Sequence, residues 1–455
     1  MWMELWRIPE KRVPKVQAQL RNLSGKRTEP IFINGAPPVG VLVGIVFLVG
    51  NSSFGELFFF VCKKRKQGGP PAAPKTMLKE KNIMQKNYLD SIQSTLLLGA
   101  GPSGVAPSTY RALSQTMLGH LDPYFLEIME EIKKGLRQLM QTENEVTVPL
   151  SGTGSAGMEA AFVNTVEPGD KVLILENGVF GNRMADVAAR LGAIVTKEEF
   201  TWGTPVKVER VKELLAQDQY KIVGIVHADT STGVRNPVQE VGYLVHAAGS
   251  LYIVDAVTSL GGIPVEVDKW HADVCYSGGQ KCLSCPPGAS PITFSPKAME
   301  VIHNRKAKVP NWYLDMNLLT QYWGGAKRVY HHTAPISMMY ALYQAVYNVL
   351  EEGMENAFAR HQAVHERLVK GLEELGMEML VAPEYRLPEL NCVIVPEGVD
   401  EAALRAELLN KYHIEVSSGL GPLAGKVIRI GLMGYNATED SVDRVLAALK
   451  EILGK

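Results

Sequence analysis

One lysine and one aspartate stand where the chain could do covalent chemistry. Lys281 lies in Tyr276-Ser277-Gly278-Gly279-Gln280-Lys281-Cys282-Leu283-Ser284-Cys285-Pro286-Pro287-Gly288. The small residues before it let backbone approach a ligand closely. The two prolines after it forbid a regular helix. Val274 and Tyr276 read as the end of a strand, so the lysine is expected on a tight loop at that strand's end. An amine placed there is desolvated, which lowers its pKa and frees it for reaction with a carbonyl. Lysine is usually a surface charge, and Lys281 alone would not overturn that. Asp255 changes the balance, because it closes the apolar run Leu251-Tyr252-Ile253-Val254. An acid ending such a run sits at the C-terminal edge of a buried parallel strand, where open α/β sheets bind ligands.

Pyridoxal phosphate needs both groups, a lysine for the Schiff base and a carboxylate for the pyridinium nitrogen. It is therefore the expected cofactor. A phosphate cradle is also visible. Val146-Thr147-Val148-Pro149-Leu150 leads through Ser151-Gly152-Thr153-Gly154-Ser155-Ala156-Gly157 into a helix expected over 158–166. A helix start offers free N–H groups and the positive end of a dipole, and Thr153 and Ser155 add hydroxyls. Glycine-rich turns between strand and helix are common, and this one lacks the Gly-Lys-Ser/Thr ending of the P-loop. Other groups carry less. Cys282 and Cys285 have CxxC spacing, but no second pair completes a four-ligand site, so no metal is expected. His331 and His332 are adjacent, and adjacent residues of an extended strand face opposite ways. Taken singly, Phe180 and Val257 read as core and Arg429 as one half of a buried ion pair.

The elements that must position these groups alternate. Strands are expected at 171–175, 193–196, 221–226 and 251–255, with helices between them, and a helix of clear three-four periodicity spans 124–140. Such alternation predicts an α/β fold with a mostly parallel sheet covered by helices on both faces. After Pro335 the pattern changes to a long helical stretch over 337–375, strands at 390–395 and 426–432, a helix at 401–411, and a last helix N-capped by Thr438. The expected division is a large domain over 91–335 and a smaller α+β domain over 336–455.

In 455 residues the apolar fraction is 46% and the charged fraction 21%, ordinary for a soluble enzyme. A formal net charge of -1 gives no electrostatic footprint for nucleic acid. Five cysteines argue for a reducing compartment, and the expected location is cytoplasmic. Residues 1–90 differ from the rest: an apolar run at 39–50 is broken by Asn51-Ser52-Ser53 and Glu56, resumes to 61, and is closed by Lys63-Lys64-Arg65-Lys66. A spanning helix needs ~20 apolar residues, and this run reaches that only by including its polar members. An extension that adds nothing to the fold is favoured, and membrane contact is expected only if 39–61 form an anchor.

With these residues in hand, the chain from about residue 96 onward resembles the class V aminotransferases, pyridoxal-phosphate enzymes of fold type I. Within them it is most similar to the alanine–glyoxylate / serine–pyruvate aminotransferase family. The resemblance rests on Gly-Pro-Ser at 101–103, Ser-Gly-Thr-Gly at 151–154, Asn-Gly-Val-Phe-Gly at 177–181, Thr-Ser-Thr-Gly-Val at 230–234, Val-Asp-Ala-Val-Thr-Ser-Leu-Gly-Gly at 254–262, Ser-Gly-Gly-Gln-Lys at 277–281, Tyr-His-His-Thr at 330–333 and Arg-Ile-Gly at 429–431. It implies that Lys281 carries the cofactor and shuttles the proton, and that Asp255 pairs with the ring nitrogen. Phe180 and Val257 then flank the ring, Thr230 bonds its hydroxyl, and Thr153, Gly154, Ser155 and Gln280 hold the phosphate. Tyr330 and Thr333 reach the neighbouring subunit's cofactor in a homodimer. Arg429 clamps the substrate carboxylate, with Gly101 beside it. Ser155 and Phe180 depart from the His and Trp of the animal enzymes, and Gly-Ala-Gly-Pro-Ser at 99–103 departs from the usual Gly-Pro-Gly-Pro-Ser. The implied reaction moves an amino group from alanine or serine to glyoxylate or a similar 2-oxo acid. The alternatives are a 2-aminoethylphosphonate aminotransferase, a cysteine desulfurase, or an inactive membrane-tethered binding protein.

Overall fold

Short aliphatic runs that are buried along their whole length build the central layer. Ile222–Val226, Leu251–Asp255, Val274–Tyr276 and Ala289–Phe294 are buried at every position, which requires cover on both faces of the sheet. In a computed structural model of the chain, residues 88–324 and 328–455 are described, together with the two short strands Gln17–Ala18 and Ile31–Phe32. The chain divides into two compact units, Met1–Ser91 and Ile92–Lys455. In the first, the two short strands pair antiparallel and Tyr88–Ser91 form a 3-10 turn. The apolar run at 39–61 lies outside the described residues. Among the described residues, no helix is long and apolar enough to cross a membrane.

The second unit holds a seven-stranded sheet in the order Val146–Ser151, Ala289–Phe294, Val274–Tyr276, Leu251–Asp255, Ile222–Val226, Lys171–Glu176, Ile194–Glu199. Ala289–Phe294 runs antiparallel to both neighbours, and the remaining pairs are parallel. The expected α/β architecture with a mostly parallel sheet is present. The outer strand Ile194–Glu199 is half-exposed and ends in Lys197, Glu198 and Glu199, charges that discourage edge pairing.

Helices begin where sequence chemistry supplies a start. Asp122 caps Pro123–Met140 by accepting from the Tyr124 N–H, and its buried face carries Phe125, Met129, Ile132, Leu136 and Met140. The helix expected from 158 begins four residues earlier, as Gly154–Thr165. The long helical stretch expected over 337–375 consists of two helices, Ile336–Glu352 and Met354–Glu374, broken at Gly353 with φ +87°. A positive φ cannot continue a right-handed helix, and glycine adopts it without penalty.

A second apolar cluster gathers Leu368, Leu372, Val393, Ile428, Ile430, Val445 and Leu449. Its sheet pairs Leu390–Ile394 and Ser417–Ser418 antiparallel with Val427–Gly431. Leu98 belongs to this cluster, and Leu96–Leu97 pair with Ile414–Glu415. The segment that opens the glycine-rich turn at 99–103 is therefore anchored by C-terminal residues. The last helix, Glu439–Ile452, is capped by Thr438, whose hydroxyl accepts from the Ser441 N–H at 3.2 Å, a contact of about 1 kcal/mol.

Candidate active site

The parallel strands end on one side, and the singled-out residues follow those ends. Thr153, Gly154, Ser155, Phe180, Thr230, Asp255, Val257, Gln280 and Lys281 line one cavity of about 180 Å³. Their loops leave the sheet after Ser151, Glu176, Val226, Asp255 and Tyr276. This is the strand-end crevice where α/β sheets place ligands.

Lys281 is held from two directions. The loop folds on itself through Ser284 N–H to Lys281 O at 3.0 Å and Cys285 N–H to Gly279 O at 2.9 Å. The turn at 100–103 closes over it: Ser103 Oγ donates to Lys281 O at 2.6 Å, Ser103 N–H donates to Gln280 O at 2.9 Å, and Lys281 Nζ donates to Ala100 O. Gly101 has φ +103°, and a Cβ there would lie 2.7 Å from Lys281 Nζ. Glycine is required by both the backbone angle and the space the amine occupies. Lys281 is only 7% exposed. Burial, and after it the charge of Arg429, pushes its pKa down to about 8.

Asp255 is 3% exposed, and its Oδ1 accepts from the Val257 N–H at 2.8 Å. Burial pushes its carboxyl up to about 6, with that N–H opposing. Near neutral pH the acid is ionised and a fraction of the lysine is neutral. That is the protonation state that suits a cationic ring nitrogen and a nucleophilic amine.

The strand–turn–helix beside them meets the demands of a phosphate. Thr153 is the N-cap of Gly154–Thr165, and its side chain makes no capping bond. The first amides of the helix have no intrahelical acceptor. Gln280 Oε1 is buried without a partner among the described residues, and a flip of that amide would offer its NH₂ donors instead. A Cβ on Gly154 would press on Val257 at 3.0 Å, so this helix start lies directly against the cavity's other wall.

Four expected residues lie elsewhere. Gly101 stands behind the lysine. Arg429, buried in Val427–Gly431, is committed through Nε to Ser418 O and through Nη1 to Thr230 O, both at 2.7 Å, which leaves Nη2 without a protein acceptor among the described residues. Tyr330 and Thr333 do not line the cavity. Tyr330 is 57% exposed, and its hydroxyl lies 3.4 Å from Thr333 Oγ1.

The structure also adds residues. Arg183 lines the cavity with its guanidinium 5.2 Å from the Phe180 ring centroid. Its position three residues after Phe180 on the helix Val179–Arg190 was the available signal. Asp229 is fully buried beside Arg429; its Oδ1 accepts from the Ser231 N–H and hydroxyl, and its Oδ2 has no partner among the described residues. Cys282 and Cys285 are buried on separate partners, Thr258 O and Met338 Sδ. Among the described residues, no group of three or more His, Cys, Asp or Glu could hold a metal ion. His331 and His332 do not face opposite ways. They lie on a loop, with their Nδ1 atoms 2.9 Å apart.

Comparison with known proteins gives the family. The family model for class-V aminotransferases matches residues 107–445. The chain is 42% identical over 366 residues to the alanine–glyoxylate aminotransferase of Mus musculus, covering 80% of this chain and 88% of that protein. It is 37% identical over 375 residues to the (S)-ureidoglycine–glyoxylate transaminase of Bacillus subtilis, covering 78% and 90%. Among solved structures, an alanine–glyoxylate aminotransferase from Nostoc sp. superposes with a TM-score of 0.78 at 48% identity, covering 81% of this chain and 100% of that one.

Proposed function

The chain belongs to the class-V aminotransferase family, and from that premise we propose that it moves the amino group of alanine or serine to glyoxylate with pyridoxal phosphate as cofactor. The observation that carries this is the buried Lys281–Asp255 pair lining one cavity beside an uncapped helix N-terminus. When bound, the cofactor supplies an electron sink for the negative charge that develops at the substrate Cα.

The protein's own groups do the rest. Lys281 Nζ would hold the cofactor, and takes and returns the Cα proton, a task suited to an amine whose pKa lies near working pH. The Asp255 carboxylate holds the proton on the ring nitrogen. Phe180 and Val257 would confine the ring faces, and Thr230 would meet the ring hydroxyl, since all three line the cavity. Thr153, Gly154, Ser155 and Gln280 would hold the phosphate. The free Nη2 of Arg429 takes the substrate carboxylate, and the same arginine serves donor and acceptor in turn. We assign Tyr330 and Thr333 to the partner's site in a homodimer, because both stand outside their own cavity and Tyr330 is largely exposed.

Cys392 argues against sulfur chemistry. It is 1% exposed, and burial pushes its thiol up to about 12, so it lacks the thiolate a desulfurase needs. The test is initial rates over a grid of alanine and glyoxylate concentrations. Parallel double-reciprocal lines are expected from one site used twice; intersecting lines, or sulfide released from cysteine, would overturn the assignment.

A further inference from the structure

Outside the cavity, one chain of polar contacts joins two segments that the mechanism treats as separate. Ser151 Oγ lies 2.7 Å from His332 Nε2, His332 Nδ1 lies 2.9 Å from His331 Nδ1, and His331 Nε2 lies 3.3 Å from Trp312 O. The direction of every bond follows from the last. A carbonyl only accepts, so His331 Nε2 carries hydrogen and, in a neutral ring, His331 Nδ1 is bare. His332 Nδ1–H therefore donates to it, His332 Nε2 is bare, and the Ser151 hydroxyl donates. Burial, and after it His331, pushes the His332 pKa down to about 4, which keeps that ring neutral as the chain requires. The Trp312 indole stacks on His331 with centroids 4.2 Å apart and planes 9° apart, fixing the ring.

The ends of this relay matter. Ser151 closes the strand that feeds Thr153, Gly154 and Ser155 into the cavity. His331 and His332 sit between Tyr330 and Thr333. We propose that the Ser151–His332–His331 relay ties the phosphate loop of one subunit to the segment that the same subunit presents to its partner, so that these are positioning residues for both cofactor sites of a dimer. The inference rests on the homodimer assignment for Tyr330 and Thr333.

The test uses full-length hybrid dimers in which one subunit carries Lys281→Ala, so that the absorption band of lysine-bound cofactor reports a single site. His332→Asn keeps a partner for His331 and loses Ser151. It is placed either in the Lys281-bearing subunit or in the opposite one. A relay serving both sites raises the cofactor dissociation constant about tenfold in each arrangement, as expected for one lost hydrogen bond. His332→Gln, which keeps Ser151 and loses His331, should do the same. Ser151→Thr should retain affinity where Ser151→Ala loses it. An increase in only one arrangement, or in neither, overturns the proposal. Tyr330→Phe in the opposite subunit is the separate control. If it leaves the reporting site's affinity unchanged, the homodimer assignment fails, and the relay proposal with it.

Discussion

The Lys281 amine sits near the point where protonation and reactivity trade places. Burial and the Arg429 charge both disfavour the ammonium, which sets the pKa at about 8. Attachment of pyridoxal phosphate to the cofactor-free protein should therefore accelerate as pH rises from 7 through about 8 and then level off, because the neutral amine is the nucleophile. Stopped-flow absorbance would show this, and a flat profile would contradict it. Asp255 works in the opposite sense. Its carboxyl protonates below about 6, so cofactor affinity should fall as pH drops through that value. In Asp255→Asn that fall should vanish while turnover drops by about 10²–10⁴-fold. Both residues were legible in the sequence, because an acid ending an apolar run and a lysine between glycines and prolines each imply a position. Arg183 was passed over, although its i,i+3 spacing from Phe180 on one helix was a signal for that contact. The contact between His331 and His332 was missed because a period of two applies to strands, and these residues lie on a loop.

At the scale of elements, the glycine-rich turn at 99–103 does what a helix or strand could not. It brings a carbonyl and a serine hydroxyl onto the lysine loop from a segment anchored in the C-terminal cluster. Gly101→Ala should cost roughly 1–3 kcal/mol for the positive φ. It should also displace the amine, since the added Cβ would meet Lys281 Nζ at 2.7 Å. The expected outcome is a lowered melting temperature with greatly weakened cofactor attachment; a protein that retains full attachment would show that the turn does not position the lysine. The early start of Gly154–Thr165 was hidden by the very glycines that make it possible. They lower helix propensity, yet a Cβ on Gly154 would be tight against Val257, and one on Gly157 would overlap Ser290 Oγ. The break at Gly353 was obscured for the reverse reason. A lone glycine in a helical pattern is often tolerated, and only its positive φ makes it a boundary here.

Across the whole molecule, the described interior holds acids that the proposed chemistry does not use, and Glu389 is one of them. Glu389 is fully buried, neither carboxylate oxygen has a partner among the described residues, and burial pushes its pKa up to about 8. The fold accommodates the neutral acid. Stability from this group is present below its unfolded value near 4.5 and is lost as pH rises toward about 8, at about 1.4 kcal/mol per pH unit within that window. Glu389→Gln should remove that slope, so that its melting temperature exceeds the parent's at pH 8 and matches it at pH 4.5 or below. An unchanged difference between these pH values would show that Glu389 is ionised and paired in solution. Such a residue is invisible from the sequence, where Pro388-Glu389-Leu390 reads as an ordinary strand entry, because its burial is decided by elements far along the chain. The parallel strands, by contrast, were legible from alternation, since strands buried on both faces leave continuous apolar runs; the antiparallel strand Ala289–Phe294, which follows the Pro-Pro-Gly turn, was not expected.

The central claim is that Lys281 and Asp255 hold a cofactor that accepts an amino group from alanine or serine and yields it to glyoxylate. The most direct measurement is a single-turnover absorption experiment on the reconstituted protein. L-alanine is added without an acceptor, and glyoxylate follows. The account predicts that the band of lysine-bound cofactor disappears with the donor, that one equivalent of pyruvate forms, and that glyoxylate restores the band. A band that persists through alanine and serine, or one that disappears and is not restored by glyoxylate, would contradict it.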